Sequence, residues 1–464
     1  MRYLLPLLLL LAACSPFTVP ETTSPPLPQS YLGGRQQGVE KLPDRWWEVF
    51  ADPELNRLQQ QLLHGNLDLR QALYRLEQLA ALQRAGGAGL WPALTLNGSV
   101  SRNSTPGITG SSISNSSQIS LAAGYEIDLW NRLHNKTTAA ELRRKAGQQE
   151  AQTLLLSLSA QLTEQYFLAA EQRAQLHLRQ RQIERNRQLL EITTERYRAG
   201  LTTAGELYQI RKNLAQNESR IPPYRTGLIQ AENSMALLLG QVPQTDMTRG
   251  KQLPQLSSLL DSGLPASLLT RRPDIAAALL QLQAADQELA AALAERLPAV
   301  NLTATLGRSV TQLAGGDIEG SFWSLALGLT QPLFDGGRRK AESARQQAIR
   351  EEQLAAYQQT ILKAVQEVEN ALSADQNSAV RVAWLKQQQH ISEQDLALAQ
   401  DNYRSGLTDS SVLLSSEISH LEIVSQNLSA QRQWLSSRIT LARALGGSWM
   451  AEELDKQQQK LHKK

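Results

Sequence analysis

Cysteine is almost absent: Cys14 is the one thiol in 464 residues. That excludes a disulfide framework and a cysteine-based zinc site. Four Met and six scattered His offer no soft-metal relay and no His-Glu-x-x-His spacing. Aromatic residues make up only 5% of the chain, so no large aromatic core is available. Neither charge sign prevails: 47 Lys+Arg face 44 Asp+Glu, a formal net charge of +3. A nucleic-acid binder needs a far more concentrated positive field. The apolar run Leu4 to Ala13 is too short to span a bilayer as a helix. Gly86-Gly87-Ala88-Gly89 lacks the Lys-Ser/Thr of a phosphate loop and reads as a helix terminator. No Gly-x-Ser-x-Gly elbow is found.

What the chain does have begins with an export signal. One early cation, Arg2, precedes a short apolar stretch and small residues before Cys14. Leu11-Ala12-Ala13-Cys14 resembles a lipobox, which implies cleavage after residue 13 and acylation of Cys14. Ser15 after the cysteine implies sorting to the outer membrane. Residues 14–51 are expected to form the anchor and an extended tether, with Pro25-Pro26-Leu27-Pro28 in its middle.

The mature chain repeats itself. Asp68 matches Asp274, Arg132 matches Arg338, Tyr197-Arg198-Ala199-Gly200-Leu201-Thr202 matches Tyr403-Arg404-Ser405-Gly406-Leu407-Thr408, and Leu239-Gly240 matches Leu445-Gly446. Every pair is separated by 206 positions. We therefore expect two copies of one subdomain, 52–257 and 258–448, followed by a polar, disordered tail at 449–464.

Each copy reads as helix, two strands, very long helix, turn, long helix. Asp52-Pro53-Glu54 supplies an N-cap and a proline at the first helical position. Alternating apolar and small or polar residues predict strands at about 93–102 and 118–128, and again at 299–308 and 322–333. The Ser/Gly/Asn/Thr-rich stretches 103–117 and 309–321 read as solvated loops. Ten residues suffice for a tilted strand to cross a bilayer. Four strands cannot close a barrel, and open edges in lipid cost several kcal/mol per unpaired amide. Three copies would supply 12 strands, an even number in the usual range. Long helices are expected at 131–196 and 338–403, without proline, and returning helices at 203–240 and 409–446. Their narrow apolar stripes resemble coiled-coil seams. Ile221-Pro222-Pro223 should kink or break the first returning helix, where the second copy has Leu428-Ser429. Gly200 and Gly406 sit where a left-handed helix cap is expected.

Taken in order, several further marks give the chain a resemblance. They are Trp46-Trp47-Glu48-Val49-Phe50-Ala51-Asp52-Pro53, Asp128-Leu129-Trp130-Asn131-Arg132, Arg271-Arg272-Pro273-Asp274-Ile275, Gln331-Pro332-Leu333-Phe334-Asp335-Gly336-Gly337-Arg338 and Leu445-Gly446-Gly447-Ser448-Trp449. The sequence resembles the TolC family of outer-membrane efflux channels, in its lipoprotein branch. The resemblance implies a mainly α fold with membrane β: a trimer with a 12-stranded barrel on a long helical periplasmic barrel. It implies a passive exit duct in the outer membrane of a Gram-negative bacterium, with no bond chemistry and no cofactor beyond the lipid on Cys14. Implied partners are a periplasmic adaptor and an inner-membrane transporter, RND-type ahead of ABC-type, with no nucleic acid.

The two Tyr-Arg-x-Gly turns resemble the periplasmic tips where the family closes its channel. Glu206 falls where an acidic gate residue is common, and Tyr403 where a tyrosine helps hold the tip shut. Arg404 and Asp409 complete the candidate set; Thr408 occupies a commonly acidic site and Asp409 follows it. Leu414-Ser415-Ser416-Glu417 lacks the usual acidic ring, leaving Glu206, Asp409 or Glu417 to supply it. The other reading is a lipid-anchored, periplasm-spanning coiled-coil scaffold with no lumen. Cargo and energy source are not written in the chain.

Overall fold

A computed structural model describes residues 25–32, 45–107, 110–244, 253, 254, 256, 271–313, 316–447 and 449–461. Cys14, the cleavage site and the expected 257/258 repeat boundary lie outside the described residues. After a short 3-10 helix, Trp46–Phe50, come α1 Pro53–Gly65, α2 Leu67–Ala88, β1 Ala93–Gly107, β2 Gly110–Ile127, α3 Arg132–Arg198, α4 Ala204–Ser219 and α5 Ile221–Leu238. Then follow α6 Pro273–Ala294, β3 Ala299–Leu313, β4 Gly316–Thr330, α7 Arg338–Arg404, α8 Ser410–Leu445 and α9 Trp449–Leu461. Helices α3 and α7 have 67 residues each, about 100 Å of rod. No helix among the described residues is long and apolar enough to cross a membrane.

The chain divides into two compact units. The first comprises Met1–Pro25, Tyr74–Gln149 and Ala276–Thr360. Its sheet has the order β1-β2-β3-β4, antiparallel throughout. The strands are longer than the sequence pattern suggests. The β1–β2 ladder continues to Gly107↔Gly110 and the β3–β4 ladder to Leu313↔Gly316. The stretches expected as loops are therefore hairpin extensions. The ladder is made by backbone groups, so Ser/Thr/Asn-rich residues can prolong it without apolar alternation.

Where the sheet meets the helices, Arg132 donates to Glu126 from Nη2 (2.6 Å) and Nε (3.1 Å) and lies 3.8 Å from Glu295. Glu295 also pairs with Lys136 at 2.6 Å. Gly147 is the one glycine inside α3. A Cβ there would sit 2.5 Å from Leu79 Cδ1 and 3.3 Å from Leu76 Cδ2, so the glycine lets these leucines pack directly on the backbone of α3.

The second unit comprises Pro26–Leu73, Glu150–Ile275 and Ile361–Lys464. Asp52 caps α1 by accepting from the backbone N–H groups of Glu54 and Leu55, and its other oxygen accepts from Tyr166 at 2.7 Å. Residues 45–51 are not extended tether: Trp46, Trp47 and Phe50 are buried in an aromatic cluster. Phe50 stacks edge-on against Phe167, and Trp47 against Trp449, at 4.9 and 4.7 Å. Residues 449–461 of the tail expected to be disordered form α9. Trp449, Met450 and Leu454 are buried, with Gln457 beside them, and most of the other polar residues of the segment are exposed.

The duplication reaches individual hydrogen bonds. Asn66 Nδ2 donates to the carbonyl of Leu238 (2.8 Å), and Arg272 Nη1 to that of Ala444 (3.0 Å). These are the same bond in two copies, 206 positions apart. The copies differ at the return. The first copy has two helices, α4 and α5, interrupted at Arg220 ahead of Pro222-Pro223, where the second has the unbroken 36-residue α8.

Candidate conducting path and gate

The regular register assigns every strand residue to one of two faces. On one face the lateral rows read Leu96–Leu121–Leu306–Trp323, Leu94–Ala123–Ala304–Leu325, Tyr125–Leu302–Leu327 and Ile127–Val300–Leu329. Leu94, Leu96, Trp323, Leu325, Leu327 and Leu329 are all exposed. Residues 119–127 of β2 span about 27 Å, which a tilt of about 40° converts to roughly 21 Å of depth. The opposite face carries Thr95, Asn97, Ser99, Gln118, Ser120, Thr303, Thr305 and Ser324. Outward of Glu126, no charged residue falls on this face among the described residues. Glu126 itself is held by Arg132. One face suits lipid and the other water.

At the far ends of α3 and α7, in the second unit, the two turns are built alike. Gly200 (φ 73°) donates to the carbonyl of Tyr197 and Leu201 to that of Arg196, at 3.0 and 2.8 Å. Gly406 (φ 70°) donates to Tyr403 and Leu407 to Asn402, at 3.1 and 2.9 Å. Both are Schellman caps, which need the left-handed conformation that glycine adopts without strain.

The candidate residues have separate partners, local ones except for Tyr403. Arg196 Nη1 donates to the Tyr403 hydroxyl at 3.0 Å, and its guanidinium lies 5.9 Å from the ring centroid. This contact ties the first hairpin to the second. Glu206 accepts from the Thr202 hydroxyl, while its backbone N–H donates to Thr203, the N-cap of α4. Arg404 is exposed, 3.8 Å from Asp401. Asp409 is the N-cap of α8, accepting from the N–H groups of Ser411 and Val412. The Ser411 hydroxyl, then the Val412 backbone, holds its carboxyl below the ordinary value. Among these contacts only Arg196–Tyr403 joins the two hairpins.

Deeper along α3, α7 and α8 lies a cleft of about 520 Å³ lined by Arg181, Arg185, Glu393, Glu417 and His420. Burial pushes the Glu417 carboxyl up, against the pull of Arg185 and of the amide of Gln182. Burial likewise pushes the His420 imidazole down; its Nδ1 is 2.9 Å from the Ser392 hydroxyl. The sequence singled out Glu417 but had no means of finding Arg196 or the other members of this cluster. Arg196 falls one residue outside the quoted turn motif, and the cluster assembles from three helices. Among the described residues no group of three His, Cys, Asp or Glu could hold a metal ion.

A family model described as "Outer membrane efflux protein" matches residues 58–241 and 264–447. The chain belongs to the outer membrane efflux protein family. The two matched stretches are displaced by the same 206 positions as the internal repeat. A pyoverdine export outer membrane protein of Pseudomonas putida is 30% identical over 460 residues, covering 97% of both chains. The outer membrane protein OprJ of Pseudomonas aeruginosa is also 30% identical, over 95% of this chain and 94% of its own. The solved outer-membrane channel OprN matches with a TM-score of 0.84 at 27% identity, covering 93% of this chain and 99% of its own. The open-state channel MtrE of Neisseria gonorrhoeae matches at 0.83 and 26%, over 93% and 98%.

As an efflux family member the protein resides in the outer membrane of a Gram-negative bacterium. It forms the exit duct of an efflux or export pump, with a helical barrel joined to a β-barrel. Members of this family are channels rather than enzymes.

Proposed function

We propose that three copies of the chain close a 12-stranded barrel, four strands from each, that opens into a helical periplasmic tunnel. The observation that carries this reading is the two-sided sheet whose outer strands, β1 and β4, each have one unpaired edge. In lipid those edges need partners, and symmetric copies supply them. The same two-sidedness argues against a solid scaffold, which needs neither an apolar band nor a hydroxyl-lined opposite face.

The assembly is a passive, non-catalytic duct for small molecules. A periplasmic adaptor docks it to an inner-membrane transporter, RND-type ahead of ABC-type. Relatives named for pyoverdine, toluene, solvent and antibiotic efflux support a small-molecule cargo. Residues 1–13 are a signal peptide, Cys14 carries the lipid, and 52–257 and 258–448 are the repeats. The gate lies at the two hairpins, with Tyr403 as its latch through Arg196, Glu206 and Asp409 as the acidic groups at its mouth, and Arg404 beside them.

The test is planar-bilayer recording of the purified, acylated protein, beside mass measurement of its N-terminus. Discrete conductance steps from a trimer, and a lipid mass lost in Cys14→Ser, are expected. A trimer that inserts without any steps would refute the duct.

A further inference from the structure

The hydroxyl- and amide-rich face of the sheet carries one aromatic residue, Phe322. It lies in the lateral row Asn97–Ser120–Gly307–Phe322. A Cβ on Gly307 would be 2.7 Å from Cζ of Phe322 and 2.9 Å from Cβ of Ser120. The ring therefore reaches across the strand and lies over the bare backbone of Gly307. The side chain is half-buried, with its Cζ end over Gly307 and part of the ring open. Its neighbours in the row are an amide and a hydroxyl, and no charged side chain shares this face outward of Glu126.

We propose that the Phe322 ring is a stacking site for planar aromatic cargo on the inner wall of the barrel. The proposal rests on the duct reading, because only a closed barrel turns this face inward. Hydroxyls and amides exchange hydrogen bonds with water and gain little from an aromatic solute. A flat, half-exposed ring offers an offset-stacking surface, and its seat on Gly307 restricts its motion before any solute arrives. Three copies put three such surfaces at one level. The contact is weak enough to release a solute in transit. The competing role is structural: aromatic rings cover strand glycines and steady the ladder.

The experiment is single-channel recording of the trimer with two cationic probes, proflavine, which is planar and aromatic, and tetrapropylammonium, which is not. In Phe322→Leu the proflavine block should shorten about two- to tenfold, the range of one stacking contact. It should persist in Phe322→Tyr, and the tetrapropylammonium block should not change in either variant. Equal proflavine dwell times in wild type and Phe322→Leu would overturn the proposal, as would equal shortening for both probes, which would mean altered pore geometry. Thermal melting of the trimer reads the structural role separately. A lowered melting temperature with unchanged proflavine block assigns Phe322 to covering Gly307 and also overturns the proposal. Absence of conductance in the wild type, seen before any probe is added, would sink the duct reading and this site with it.

Discussion

Replacing Tyr403 by Phe removes one hydroxyl and leaves the ring. The Arg196 guanidinium loses its 3.0 Å acceptor but keeps its position 5.9 Å from the ring centroid. A hydrogen bond from a charged donor contributes about 1.5–3 kcal/mol when shielded. Arg196 is exposed, so about 1 kcal/mol per chain is the appropriate scale. That is about a fivefold shift of one hairpin pair toward separation. If the three chains of the proposed trimer move together, the terms add to about 3 kcal/mol, or on the order of a hundredfold. Arg196→Gln removes the hydrogen bond and the cation–π contact, the latter worth about 0.5–1 kcal/mol at an exposed site. The assay is open probability in planar bilayers for wild type, Tyr403→Phe and Arg196→Gln. The expected order is wild type lowest, Tyr403→Phe intermediate and Arg196→Gln highest. A Tyr403→Phe channel that behaves as wild type while Arg196→Gln opens would remove the hydroxyl from the gate. If neither variant changes open probability, the latch is refuted.

Gly240 has φ 69°, and a Cβ there would sit 2.1 Å from the Gly65 carbonyl oxygen; Gly240→Ala should cost at least about 1–2 kcal/mol from backbone conformation alone and visibly lower the melting temperature. Gly205→Ala, inside α4 with its nearest contact at 3.7 Å, should leave the melting temperature unchanged or raise it; equal behaviour of the two variants would contradict the geometry. Tyr31, buried near Glu369, has its hydroxyl pushed up to about 12, chiefly by burial. The folded value lies above the unfolded 10.0, so its contribution is complete below pH 10 and is lost as pH rises toward 12. After correction for the base-catalysed intrinsic rate, the protection of amides in residues 25–32 should fall in that interval in wild type and show no such fall in Tyr31→Phe.

Much of the architecture is legible from the chain because duplication leaves a constant offset. Gly200 and Gly406 announce the turns through a conformation other residues resist, and Pro222-Pro223 marks the helix interruption because proline lacks a donor. The strand ends were harder to read. Between 103 and 117 serine, asparagine, threonine and glycine predominate, and a solvated hairpin and a solvated loop have the same composition. Helix α9 was hidden for a related reason: its few apolar residues acquire meaning only against Trp47. The candidate gate was partly visible. Tyr403 belongs to a repeated motif, but its partner Arg196 lies 207 positions away, and no local pattern encodes that pairing. Of the cleft, Glu417 alone was visible, as a candidate acid; Arg181, Glu393 and His420 were not, since three helices contribute to it.

The interruption at Arg220 has a mechanical consequence. An uninterrupted α8 carries load as a stiff strut from Ser410 to Leu445. The α4–α5 pair is a strut with a compliant joint, because the prolines remove backbone donors just where the first helix stops. Displacement applied near Thr203 would be taken up at that joint, whereas displacement near Asp409 would travel the length of its helix. In a threefold assembly stiff and jointed members alternate around the ring. An adaptor pressing evenly on all the tips would meet two different stiffnesses, so motion at the mouth has threefold rather than sixfold character.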